Sequence, residues 1–153
     1  MNELITQSVK IGTMSDYAID RVRALEEITS AMDQAEITTW HVLHSGMYSR
    51  TIKIPEGVLL TGALVKVPTI LVVNGDVAVY ANEQEVRVTG YAAIPASANR
   101  KQAFYAFADT WLTMVFSTSA TTVHEAEDEF TNEAHALMSR HEDAINHFNL
   151  TGE

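Results

Sequence analysis

Residues 61–76 read TGALVKVPTILVVNGD. The β-branched run TILVV predicts a short strand, and Gly75 with Asp76 behind it predicts the break that ends it. Just upstream, LLTGALVK has the same texture. That texture continues outward in both directions, from Thr38 to Thr118, through TWHVLH, MYSRTIKI, VAVYA, EVRV, YAAI, QAFYAF and TWLTMVFS. Gly57, Gly75 with Asp76, Asn82, Gly90 and Pro95 punctuate these runs. Many short strands separated by regular turn residues predict a sandwich or a barrel.

The flanks read differently. In residues 15–36, Ala18, Val22, Leu25, Ile28 and Met32 recur at three- and four-residue steps behind Ser15 or Asp16, which predicts a capped amphipathic helix. In residues 122–148, Val123, Phe130, Ala134, Leu137, Met138, His141, Ile145 and Phe148 form one stripe, and acidic residues fill the first turns. A second helical segment is expected there. The 153 residues, 46% of them hydrophobic, suit one domain, 1–153, with its barrel at 38–118. A closed barrel offers neither helix an apolar partner, so a homo-oligomer joined through the helices is expected.

Ten Lys and Arg against 20 Asp and Glu give a formal charge of −10, with no basic stripe for phosphates, so no nucleic-acid partner is expected. The acidic field also argues against anionic membrane surfaces. The apolar run VPTILVV is far short of the roughly 20 residues of a bilayer span, and MNELITQSVK has no signal-like apolar core. The absence of cysteine removes thiolate metal sites and cysteine nucleophiles. A cytoplasmic or particle-borne location is expected.

The segment from Gly57 to Phe104 resembles the two motifs of the cupin family, G-x5-H-x-H-x3,4-E-x6-G and G-x5-P-x-G-x2-H-x3-N. Gly57 and Gly75 frame the first motif and Pro95 matches the second, with Gly90 one residue early. The resemblance implies a mainly β, cupin-like jelly-roll barrel with helices at both ends. At the ligand positions stand Ala63 and Val65, Pro68 or Thr69, and Arg100. Aliphatic groups donate nothing to a metal, and a guanidinium puts permanent positive charge where the cation would sit. No metal, no cofactor and no catalytic residue is therefore expected.

Strand parity puts Tyr48, Arg50, Ile52 and Ile54 on one face. The same rule groups Leu59, Thr61, Ala63 and Val65, and it groups Arg100 with Gln102 and Phe104. A pocket holding Tyr48, Arg50, Thr61, Arg100 and Gln102 would be basic inside an acidic protein. Alternatively, Arg100 sits at the barrel mouth, in water or paired to a carboxylate, and side chains fill the interior. His41 and His44, three apart on a strand, are candidate ligand contacts facing opposite sides. The run HEAEDEF is not HExxH and reads as a solvated helix face. The G-x-S-x-G elbow and the Gly-rich phosphate loop are both missing.

The order of phrases HVLHSGMYSRTIKIPEGVLLTG, NGD and RKQAFYAFADTWLTMVF, then an acidic tail, is similar to small cupin-like proteins of tailed bacteriophages and prophages. Three functions follow as expectations. The first is non-catalytic binding of a small anionic ligand, such as a nucleotide-type defence signal. The second is an oligomeric structural part of a phage particle. The third is a metal-dependent enzyme using His41, His44 and Glu56 as substitute ligands.

Overall fold

The computed structural model describes residues 10–153. Helix α1 spans Asp16–Ser30, and the Ser15 side chain accepts from Ala18 N at its start. It ends short of the expected residue 36. The Gln34 amide turns back and donates to the carbonyls of Thr29 and Met32, so the chain leaves the helix with those groups satisfied. Ala18, Ile19 and Val22 pack with Met14 and Ala103, and Leu25 and Leu64 rest on them.

Eight strands follow: β1 Thr38–His44, β2 Met47–Ile54, β3 Leu59–Thr61, β4 Thr69–Ala81, β5 Gln84–Ala96, β6 Ala103–Ala106, β7 Thr110–Ser117 and β8 Ile145–Leu150. They form one curled sheet in the order β3-β6-β4-β7-β2-β1-β8, with β5 on the other edge of β4. Helix α2, Val123–Phe130, and two single 3-10 turns at Ala134–Ala136 and Met138–Arg140 connect β7 to β8.

Several expected boundaries are corrected. TILVV and VAVYA are one 13-residue strand, because Asn74-Gly75-Asp76 does not turn but stays paired to β5. The turn between β6 and β7 leans on Gly75 instead. A Cβ there would lie 2.7 Å from Thr110 Cα and 2.8 Å from Asp109 O, so only glycine admits the approach. Strand β4 changes neighbour at this point, pairing with β7 through Asn74 and with β6 from Val77. EVRV and YAAI are likewise one strand, β5, which tolerates Pro95 because β4 alone pairs along it as a strand. LLTGALVK is strand only over Leu59–Thr61, with a single further bridge from Val65 to Arg100.

The C-terminal helix expected over 122–148 ends at Phe130. Thr131 is extended, and INHFNL forms β8, parallel to β1 with His41 opposite Phe148. Of the long apolar stripe, Val123, Phe130, Ala134 and Leu137, joined by Ala126, pack against Leu43, Tyr48 and Phe116. Burying a side chain such as Phe130 stabilises by about 1.5–3 kcal/mol. The chain's own sheet thus covers Ala18 and Val22 of the first stripe and most of the α2 face, while Ile28 and Met32 of the first stripe stay exposed, at 66% and 63%. No helix of the described residues is long and apolar enough to cross a membrane.

Candidate functional site

The concave face of the sheet and the segment after α2 line a half-open cavity of about 170 Å³. Arg50, Arg100 and Gln102 line it, as the parity argument expects, and Thr61 reaches its wall as well. The wall is otherwise mainly apolar, with Ile52, Leu60, Leu71, Leu112, Met114 and Phe130 among its members. Tyr48, His41 and His44 do not line it.

Arg100 is 1% exposed. Its Nη1 donates to Ser97 O at 2.7 Å and Val67 O at 3.4 Å, its Nη2 to Thr69 Oγ1 at 2.7 Å, and its Nε to Gln102 Oε1 at 3.2 Å. All four acceptors are neutral. Neither the barrel-mouth reading nor the carboxylate-paired one applies, and burial pulls the guanidinium pKa down to about 10. The group is still charged at neutral pH. Gln102 is 5% exposed, and its Nε2 has no partner. A buried amide donor left unpaired costs about 1–3 kcal/mol.

Arg50, by contrast, has its charge balanced. Its Nη1 donates to Glu127 Oε2 at 2.7 Å, its Nη2 to Ser139 Oγ at 2.9 Å, and the guanidinium lies 5.6 Å from the Phe130 ring centre. Glu127 is 1% exposed and also accepts from Arg140 Nε at 2.9 Å, so the solvated-face reading of HEAEDEF fails at this residue. Burial alone would push its pKa up. The bonds from Ser139, Arg140 and Arg50 outweigh burial and hold it below the usual carboxylate range.

Tyr48 and His41 sit behind Arg50 in a chain of hydrogen bonds. Asn146 Nδ2 donates to Ser139 O, so its Oδ1 faces His41 Nε2 at 2.7 Å and fixes the proton on that nitrogen. The neutral ring then accepts at Nδ1 from the Tyr48 hydroxyl, 2.7 Å away. Arg50 Nη1 donates to the same phenolic oxygen at 3.4 Å. Burial lowers the His41 pKa and raises that of Tyr48. His44 points the other way, toward Thr151 Oγ1 at 2.8 Å, as three-residue spacing on a strand requires.

Thr61 departs from the expected parity. Leu60 pairs with inward Phe104 across β3 and β6, and the Thr61 hydroxyl reaches sideways to Glu26 Oε2 at 3.1 Å. That carboxylate also holds Lys101, which is fully buried with Nζ 3.1 Å from Glu26 Oε2 and 3.0 Å from Glu133 Oε2. Arg23 lies 3.0 Å from the other oxygen of Glu133, without an aligned hydrogen bond. Both carboxylates on the cavity wall are thus neutralised by cations. Lys101, Glu127 and Glu133 escaped the sequence reading. Parity does separate Lys101 from Arg100, but nothing local shows that α1 and the segment after α2 cover it.

Among the described residues, no three His, Asp or Glu side chains are grouped to hold a metal. His41 and His44 face opposite sides, and the Glu56 amide caps Asp109 at an exposed turn.

No protein-family model matches the sequence, and no curated protein matches it. Among solved structures, the chain is similar to a cupin superfamily protein from Desulfitobacterium hafniense, with 9% identity and a TM-score of 0.48 over 60% of this chain and 88% of that one. It is also similar to KdgF from Halomonas sp., with 19% identity and a TM-score of 0.47 over 58% and 86% of the two chains. A third likeness is to the cupin domain of an XRE family transcriptional regulator from Enterobacter cloacae, with 10% identity and a TM-score of 0.45 over 53% and 96%. The fold of the described residues is mainly β, a half-barrel sheet with two helices set against it.

Proposed function

We propose that the chain is a non-catalytic binding protein that holds a small anionic ligand at Arg100 and Gln102. One observation carries the reading: a buried guanidinium with four neutral acceptors lies beside an amide nitrogen with no acceptor at all. Burying a lone charge is unfavourable unless something compensates it, and an anion in the cavity would satisfy both groups. The cavity wall holds no histidine, serine or tyrosine, and its carboxylates Glu26 and Glu133 are tied to Lys101. Its one hydroxyl, on Thr61, donates to Glu26, a carboxylate already engaged by Lys101, which makes a poor nucleophile and base. In a phage setting such a site would sequester a small anionic signal.

Calorimetric titration with acetate, benzoate, inorganic phosphate and cyclic nucleotides tests the reading. Saturable heat from at least one anion, weakened in the Gln102→Leu protein, is the expected result. No heat from any of them overturns it.

A second reading, self-assembly as part of a particle, is favoured by strand β8. It ends the sheet, and Ile145, Phe148 and Leu150 on it are exposed. An apolar edge without lysine or proline is open to pairing with a second copy. Sedimentation analysis separates wild type from Phe148→Lys if this edge associates, and mass spectrometry of purified particles shows whether the protein is carried in them.

A further inference from the structure

We infer that the cavity takes a monocarboxylate with a compact apolar body, of about the size of benzoate; this rests on the anion-binding reading above and narrows it. At the end of the cavity held by Arg100 and Gln102, the groups left over are donors. Arg100 Nε needs an acceptor, and Gln102 Oε1 is the one it has. That bond fixes the amide orientation, so the two hydrogens of Gln102 Nε2 are both unspent. On Arg100, Nε and both hydrogens of Nη1 are used, and Nη2 makes one bond and keeps one hydrogen. Two adjacent donor groups of this kind match the two oxygens of a carboxylate.

Charge limits the ligand to one negative unit. Arg50 is balanced by Glu127, Lys101 lies between Glu26 and Glu133, and Arg100 alone on this wall has no carboxylate partner among the described residues. A phosphate dianion would bring a second charge toward Glu26 and Glu133 and would leave oxygens without donors. The opposite wall of Leu60, Leu71, Leu112, Met114 and Phe130 has nothing to offer a hydroxyl or an amine. Each polar group buried there would lose its hydrogen bonds to water without replacement, which weighs against sugars and nucleotides.

Volume sets the size. A dry cavity of about 150 Å³ lined by such side chains accommodates benzene. The 170 Å³ observed here admits one ring or a short chain with its carboxylate.

The test needs no variant at first. The full chain is titrated calorimetrically with benzoate and hexanoate, against benzyl alcohol, acetate, inorganic phosphate and adenosine monophosphate. The carboxylates with apolar bodies are expected to bind at least about tenfold more tightly than each control. Phosphate, acetate or the nucleotide binding as well as benzoate overturns the ligand class and leaves the anion reading intact. Benzyl alcohol matching benzoate overturns both, as does silence from every compound. Gln102→Glu, which places a carboxylate of the protein's own beside Arg100, is expected to stay folded by thermal melting and to lose about tenfold or more in benzoate affinity. Unchanged affinity in that folded variant also overturns the proposal.

Discussion

Arg100 Nε donates to Gln102 Oε1 at 3.2 Å, and that single bond decides which end of the glutamine amide is left without a partner. The two residues are neighbours on one face because they are two apart in an extended chain. One supplies uncompensated charge and the other unspent donors. The predictions below follow from this pair and from the structure that holds it.

Gln102→Glu should stabilise the free protein. Its carboxylate would accept from Arg100 Nε and supply the counter-charge that four neutral oxygens do not. The cost of burying the new carboxylate offsets part of the gain, leaving about 1 kcal/mol, or roughly 2–4 °C in the thermal midpoint. Differential scanning calorimetry at neutral pH without added anions measures it, and a lower midpoint would contradict the account.

Glu127→Ala should destabilise strongly. It strands the buried guanidinium of Arg50 and removes the acceptor for Ser139 and Arg140. Breaking one side of a buried pair costs about 3–5 kcal/mol. Asp128→Ala, one residue along, removes a carboxylate that is 65% exposed and should cost under about 1 kcal/mol. Chemical denaturation of the two variants side by side checks the contrast.

Acid should weaken the fold in two overlapping steps. His41 has a folded pKa below its usual 6.5, because burial, helped by the nearby charge of Arg50, outweighs the Asn146 hydrogen bond that favours the charged ring. The unfolded chain then binds the extra proton first, so stability is full above about pH 6.5 and falls as pH drops toward the folded value. Arg50 opposes the ring's positive charge across the Tyr48 hydroxyl, while Glu127 partly favours it. Glu127 is also depressed, from 4.5, and its contribution is lost lower still as pH falls through its folded pKa. Urea midpoints between roughly pH 8 and pH 2.5 should decline in that order, and His41→Gln should flatten the upper step.

Gly75→Ala should cost more than Gly90→Ala. A methyl at Gly75 meets backbone atoms of Asp109 and Thr110, which cannot swing aside, and overpacking of this kind costs about 1–3 kcal/mol or more. Gly90, at φ +79, has open space around its Cβ position and incurs only the left-handed backbone penalty of about 1–2 kcal/mol. Thermal melts of both variants provide the test.

The legible parts of the chain were those governed by local alternation. MYSRTIKI places Tyr48, Arg50 and Ile54 inward as its pattern requires, and Arg100, Gln102 and Phe104 follow the same rule. Gly75 was misread because a glycine that admits a neighbouring backbone looks, in sequence, like a glycine that turns the chain. INHFNL was misread because its pairing with β1 spans about a hundred residues, and its apolar residues can fall on a helical stripe as well as on a strand. Glu127 is buried for a reason equally remote, since Arg50 and Arg140 reach it from elsewhere in the chain.

The most direct test of the central claim is to follow the Gln102 side-chain amide by nitrogen-edited NMR while benzoate is added. The account predicts that its two Nε2 protons move downfield together and saturably, as hydrogens that lacked an acceptor acquire one. Signals that stay fixed while benzoate binds, or while the protein shows no binding at all, would contradict it.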